Sequence, residues 1–316
     1  MSPKIDELLL SLIETEDPVR VLWDALVGIW KVEQAPANID DFFLERERVT
    51  NNLERVVHEC FFELYDLLIE RVKGSKMERV LAGEENTLIL MDGLSIREAS
   101  LLLPTLGEAG FEVDDTDYSF SAIPSDTLPF VRRFFGTSSP SAIRGGDEFA
   151  FEYVEAGRVK DYFRPRGKLV VWISFPDQLM HHAGRIVTPS EAFAKTKQTL
   201  LKVLQNSGRE EATITSDHGY IYAQRTIEHC WPPSREDERL LRGIFGGARA
   251  VRVAEVSGPD RRRLDRPQDK RYVVEENDHY CIVGRYYWSA AGPTSDVAHG
   301  GISLMECITP VIRVRK

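Results

Sequence analysis

The stretch TLILMDG, residues 87–93, decides the fold. Thr87 to Met91 is an almost unbroken apolar run that stops at Asp92 and Gly93. Two later stretches repeat the pattern. KLVVWISF (168–175) leads to Asp177, and EATIT (211–215) leads through Ser216 to Asp217. Runs this short and this apolar read as strands covered on both faces, as in a parallel sheet. In an open α/β sheet the ligand site lies just beyond the carboxyl ends of the strands. Asp92, Asp177 and Asp217 are therefore expected on one edge of one sheet. The expected architecture is a three-layer α/β/α sandwich with a mostly parallel sheet and a helical element before it.

The flanking sequence supports this alternation. Ser95 with Glu98 forms a capping box for a helix over Ile96 to Leu106. FEVDDTDYSFSAI (111–123) reads as a strand with a turn, and a further helix follows Thr127. Thr188-Pro-Ser-Glu191 opens an amphipathic helix that runs to Asn206. RYVVEENDHYCIVGRYYWS (271–289) reads as a hairpin turning at Glu275 to Asp278, and MECITPVIRV supplies a closing strand. Residues 137–166 and 225–270 read as excursions from the core. The charge run GPDRRRLDRPQDKR in the second is a solvated loop or a basic lip.

Residues 1–82 read as helical, and 83–316 as the α/β domain. Leu8, Leu9, Leu12 and Ile13 recur at helical spacing, as do Val21, Leu22, Ala25 and Leu26. A third stripe lies in Asp40 to Val72, with Leu53, Val56, Val57, Phe61, Leu64, Leu67 and Leu68. These helices are expected to form a bundle or to pack on the next domain. They carry no catalytic cluster, and His58 reads as structural.

The chain has 316 residues and a net charge of −10. That charge argues against a protein built to coat nucleic acid, which needs Lys and Arg against phosphate. It leaves open a small phosphate substrate, because bound dications would supply local positive charge. Cys60, Cys230, Cys281 and Cys307 are far apart and lack C-x-x-C spacing, so reduced thiols and a cytoplasmic location are expected. No apolar run approaches the roughly 20 residues of a membrane span, and no membrane partner is expected.

Asp177 and His181, spaced D-x-x-x-H, share a face on a turn or first helical turn. Asp217 and His218 are adjacent, and Gly219 behind them lets the chain leave regular structure. His299 precedes Gly300 and Gly301, which allow close backbone approach. Carboxylates with imidazoles suit zinc or manganese, and two such ions can hold both oxygens of a phosphoryl displacement. In IPSDTLP (123–129), Thr127 stands at a helix start, where backbone N–H groups favour anions. Ser125 and Ser95 are alternative hydroxyls, and His182 competes with His181. Glu306 is either an orienting acid or a core group. Arg132 or Arg133 is either a phosphate ligand or solvated. His229 and His279 read as structural.

In order, these fragments resemble the alkaline phosphatase superfamily. HGGISLMECITPVI with SDHGY looks, more narrowly, like a PglZ-type domain, the branch found in bacterial phage-defence operons; the resemblance covers about 87–316. It implies that Asp177, His181 and His299 hold one metal. Asp92, Thr127, Asp217 and His218 hold the other, and Thr127 is the nucleophile of a covalent phospho-enzyme intermediate. It further implies two divalent ions, zinc foremost and manganese or magnesium otherwise. The activity implied is a phosphodiesterase on nucleotides or oligonucleotides in antiphage defence or signalling. The rivals are a phosphomonoesterase or phosphomutase, and a nucleotide- or metal-binding scaffold subunit. A sulfatase is disfavoured, since no Cys lies in the nucleophile segment. The N-terminal helices are candidates for binding defence-system proteins or a second copy of the chain.

Overall fold

The computed structural model describes residues 5–75, 87–147, 149–155, 158–161, 163, 167–181, 187–222, 235–265, 272–288 and 297–316. Among these residues four helices come first: α1 (Ile5–Glu14), α2 (Pro18–Trp30), α3 (Ile39–Cys60) and α4 (Glu63–Gly74). The stripe from Asp40 to Val72 is thus two helices. The break falls at Phe61, whose backbone (φ −141°, ψ 48°) leaves the helix while its N–H still reaches the Val57 carbonyl. The turn lets His58 pack its ring edge-on against both Phe62 and Tyr286, at 5.3 Å between centroids in each case.

The strand–helix alternation then begins. It runs β1 (Thr87–Met91), α5 (Ile96–Glu108), β2 (Glu112–Phe120), α6 (Thr127–Phe135), β3 (Phe149–Val154) and β4 (Lys168–Ile173). There follow α7 (Asp177–Met180), α8 (Pro189–Ser207), β5 (Glu211–Ser216) and β6 (Ile221–Tyr222). Next come α9 (Arg235–Phe245), β7 (Ala250–Arg252), α10 (Gly258–Leu264), β8 (Val273–Glu276) and β9 (His279–Ile282). β10 (Val297–Ala298), α11 (Leu304–Cys307) and β11 (Ile308–Arg315) close the series. The capping box at Ser95 and Glu98 is formed, as is the Thr188 cap of α8.

Six strands make the central sheet in the order β2-β11-β5-β1-β4-β3. β5, β1, β4 and β3 pair in parallel, and β11 runs antiparallel between β2 and β5. The fold is therefore α/β with a mostly parallel sheet, and the period-two pattern of the strands explains its layers. Leu88, Leu90, Val170 and Trp172 pack with Phe130 and Val131 of α6 on one face. Ile89, Met91, Leu169, Val171 and Ile173 face the other way, into the core that holds Leu102 of α5 and Leu200 of α8.

Three expectations need correction. The segment around Asp114 and Asp115 does not turn: β2 is one nine-residue edge strand. An edge tolerates acids, and here they meet Arg313 and Arg315 of β11 across the ladder. Residues 137–166 are not wholly an excursion, because Phe149–Val154 joins the sheet as an edge strand beside β4. The first half of the charge run is not a loop: Gly258–Leu264 is α10, where Arg261 donates to the Val256 carbonyl at 2.8 Å and Arg263 pairs with Asp237 at 3.3 Å, and residues 266–271 lie outside the described residues.

The predicted hairpin is present, with Asn277 (φ 49°) and Asp278 (φ 61°) turning β8 into β9. Both belong to residue types that tolerate positive φ. β7, β9 and β8 form a small separate sheet.

The N-terminal helices share the main core: Trp23, Leu26, Val57 and Leu68 belong to the same apolar cluster as Leu102 and Ile312. Two buried acids of α3 reach further. Glu47 takes a bidentate pair from Arg97 of α5, at 2.8 and 2.9 Å, and a second contact from Arg285. Glu54 accepts from the Leu304 N–H at 2.8 Å. Among the described residues no helix is long and apolar enough to cross a membrane. Cys60 is exposed, Cys281 and Cys307 are buried, and all three are free; Cys230 lies outside the described residues.

Candidate metal centre

Parallel register places the three acids. Met91 stands opposite Ile173 on one side and Ser216 on the other, so β1, β4 and β5 end in one row. Backbone bonds then tie the loops that follow. Asp92 N–H donates to the Ile173 carbonyl at 2.8 Å, and Asp177 N–H to the Asp92 carbonyl at 3.0 Å. Gly93 N–H donates to Asp217 Oδ1 at 3.1 Å.

Thr127 opens α6, one residue after its N-cap Asp126. Its hydroxyl lies 2.8 Å from Asp217 Oδ2, 3.2 Å from Asp92 Oδ1 and 3.2 Å from His218 Nε2. The competing hydroxyls are engaged elsewhere. Ser125 donates to the Gly301 carbonyl at 2.7 Å and accepts from Gly300 N–H at 3.2 Å, lacing its loop to the His299 loop. Ser95 is held by Glu98 Oε2 at 2.6 Å as the cap of α5.

Two donor clusters form among the described residues. Asp92, Asp217 and His218 have ligand atoms within 4.8 Å of one another, and so do Asp177, His218 and His299. His218 belongs to both, and its ring stacks on His299 with centroids 4.2 Å apart. Its Nδ1 lies 2.9 Å from the Gly219 carbonyl, which places the proton there and leaves Nε2 facing the acids. His181 Nε2 stands 3.2 Å from Asp177 Oδ1, and its ring meets His299 at 4.9 Å. All seven predicted residues thus converge. His182 and His229 lie outside the described residues. His279 is on the small sheet, with Nδ1 against the Asn277 carbonyl at 2.7 Å.

The charge balance of the cluster is poor without cations. Burial pushes Asp217 up to about 7, a shift that the nearby Asp92 charge adds to and His218 opposes. Burial would also lower His218, but Asp217, Asp92 and Asp177 outweigh it and raise this imidazole well above its usual value. Burial and the neighbouring His218 lower His299. Burial acts to raise Asp177, yet His299, His181 and His218 together hold it low. Asp177 Oδ1 and His299 Nδ1 are buried without a hydrogen-bond partner. A buried carboxylate oxygen at ion-pair distance from two imidazoles, yet with no hydrogen bond of its own, is one that a bound cation would satisfy. The donor set, hard carboxylates with imidazoles, fits zinc or manganese.

The glycines act differently from expectation. A Cβ on Gly219 would lie 2.0 Å from the Met305 carbonyl oxygen, so close packing, not a turn conformation, demands glycine there. At Gly301 the Arg249 guanidinium comes within 2.3 Å of a Cβ position, so protein packing by itself excludes a side chain there. Arg249 in turn grips Glu306 through two 2.7 Å contacts, and Glu306 Oε1 accepts from Gly301 N–H at 2.9 Å. Glu306 is thus a core group that braces the His299 loop. Arg133 binds the C-terminal carbonyls of α4, at Val72, Lys73 and Ser75, and does not face the centre; Arg132 is exposed. Nothing in the sequence pointed to Arg249, because its partners lie far along the chain.

No protein-family profile and no curated protein matches the chain. Solved structures do. Phosphonoacetate hydrolase from Sinorhizobium meliloti 1021, in complex with phosphonoformate, is 13% identical over 72% of this chain and 89% of its own, with a TM-score of 0.39. An inactive variant of murine ectonucleotide pyrophosphatase/phosphodiesterase 5, in complex with AMP, is 10% identical over 74% and 88%, with a TM-score of 0.40. The human form of that protein gives 11%, 73% and 87%, with a TM-score of 0.39. These values are low, and the chemistry assigned below stands on the chain's own side chains.

Proposed function

We propose that this chain is a metal-dependent phosphoester hydrolase, and that its substrates are phosphodiesters of nucleotides or oligonucleotides. One observation carries the reading: a hydroxyl at a helix start, Thr127 Oγ1, stands within 3.2 Å of Asp92, Asp217 and His218 together. Asp177, His181 and His299 would hold one dication, and Asp92, Thr127, Asp217 and His218 the other. Zinc suits them best, with manganese or magnesium as alternatives. Bound there, the ions would make the hydroxyl more acidic and offset charge on the transferred phosphoryl group.

The chain's own residues perform the remaining tasks. Asp217 Oδ2 accepts the Thr127 hydroxyl proton. Backbone N–H groups at the start of α6 face the anionic phosphoryl oxygens. Thr127 Oγ1 forms a bond to phosphorus as the bond to the leaving alcohol oxygen breaks. Water then attacks the phosphothreonine, regenerating the hydroxyl and releasing the phosphomonoester.

The order of the motifs supports placing the chain in the PglZ branch of the alkaline phosphatase superfamily, acting in the cytoplasm in antiphage defence or signalling. We divide the chain at 82/83. Leu10 and Ile13 of α1, 57% and 67% exposed, are where a defence-system protein or a second copy of the chain would dock.

The test is turnover of bis-p-nitrophenyl phosphate and p-nitrophenyl phosphate after chelation and re-addition of Zn²⁺, Mn²⁺ or Mg²⁺. Metal-restored diester cleavage, abolished by Asp217→Ala, is the expected result. Monoester cleavage alone would move the assignment to a phosphomonoesterase or phosphomutase. Metal binding without turnover of either would move it to a scaffold.

A further inference from the structure

His299 turns its two ring nitrogens to two different acids. Nε2 lies 3.5 Å from Asp177 Oδ1, and Nδ1 lies 3.9 Å from Asp126 Oδ2. Nδ1 is buried and has no hydrogen-bond partner. A histidine that gives Nε2 to a metal carries its proton on Nδ1. A carboxylate at that N–H fixes the ring's orientation and makes it a better ligand.

Asp126 is well placed for this task. Its Oδ1 faces Leu128 N–H at 3.4 Å as the cap of α6, which leaves Oδ2 for another partner. Its neighbour Ser125 bonds to both Gly300 and Gly301, so the backbones of the two loops are already laced beside the gap. The Asp126 side chain is 42% exposed. Closing 3.9 Å to a normal charge-assisted hydrogen bond takes about 1 Å of movement. Among the described residues the other charged or titratable groups acting on His299 are Asp177, His181 and His218. All three belong to the donor clusters themselves.

We propose that Asp126 is a positioning residue whose carboxylate accepts the His299 Nδ1–H and so sets that imidazole for the metal it shares with Asp177 and His181. This rests on the two-metal reading above. Because Asp126 also directly precedes Thr127, one carboxylate then ties the nucleophile's helix to the occupancy of the second metal.

The test is titration of chelated wild type and Asp126→Asn with Zn²⁺ by calorimetry, and with Co²⁺ by visible absorption. Asparagine still caps α6 but presents no charge to Nδ1–H. The expected result is two dications in wild type. In Asp126→Asn one of them should bind roughly 10–100-fold more weakly, with a changed Co²⁺ band for that ion alone. Asp126→Ser, which also keeps a cap, should behave likewise, and both metal-free variants should melt with wild type. Two dications held equally well by all three proteins would overturn the role of Asp126 and leave the metal centre standing. Fewer than two in wild type would overturn the two-metal reading and this inference with it.

Discussion

Arg249 and Glu306 face each other through two 2.7 Å contacts, with neither side chain exposed at all. The guanidinium also reaches the carbonyls of Gly284 and Tyr286, and the carboxylate holds the Gly301 N–H. The pair therefore joins the small sheet to the loop that carries His299. Removing one partner of such a pair strands a buried charge. Arg249→Ala or Glu306→Ala should each destabilise by about 3–5 kcal/mol, whereas the double change to Met and Leu should cost less than either. Urea unfolding of the three variants checks this.

Thr127 is distinguished from its rivals by what each hydroxyl touches. Thr127→Ala should lower turnover by roughly 10³-fold or more, and Thr127→Ser should keep measurable activity. Ser95→Ala should leave the phospho-enzyme intact, because Ser95 caps α5 and accepts from the Arg97 guanidinium at 3.3 Å without touching Thr127. Trapping a ³²P-labelled intermediate by acid quench separates the three.

Glu54 gives a dependence on pH. Burial pushes its carboxyl up to about 7, helped by the Glu306 charge and opposed by the Leu304 N–H and Arg249. The folded state thus holds a proton that the unfolded chain, with a value near 4.5, releases earlier. Stability from this group is full below the unfolded value and falls as pH rises through about 7. The loss is on the order of 3 kcal/mol. Glu54→Gln should flatten that slope in metal-free protein, read as the chemical denaturation midpoint at pH 5, 6, 7 and 8.

The N-terminal helices should not be removable. Without residues 1–82, Arg97 and Arg285 lose Glu47 while remaining in the core. The truncated chain is expected to be insoluble or to lack a cooperative melt. Glu47→Ala alone should destabilise by about 3–5 kcal/mol, checked by thermal denaturation.

Much of the sheet was legible in the sequence. β1, β4 and β5 are short apolar runs, and the ligand-bearing acids had to follow them whatever the loops did. Asp92, Asp177, Asp217, His218 and His299 were visible because each follows a strand or stands beside a glycine, and His181 because of its D-x-x-x-H spacing from Asp177. Other features were not. Phe149–Val154 hides in a polar stretch because an edge strand need bury only part of its surface. The acids of β2 looked like a turn because their arginine partners lie on β11. Arg249, Glu306 and Glu47 carry no local signature, since each is explained only by a partner far away in the chain. Asp126 carries no signal in the sequence beyond its place before Thr127, and the His299 nitrogen without a hydrogen bond gives it a task.

β11 enters the sheet between β2 and β5, two strands that precede it by long stretches of chain. During synthesis β5 must wait with one bare edge, and β2 with no strand partner in the sheet, until it emerges. Such edges are templates for pairing with other molecules, and partners so remote in sequence are met slowly. The acidic rim of β2 repels a second copy of itself during that wait. The same residues that later meet arginines in the finished sheet therefore guard the nascent chain against self-association.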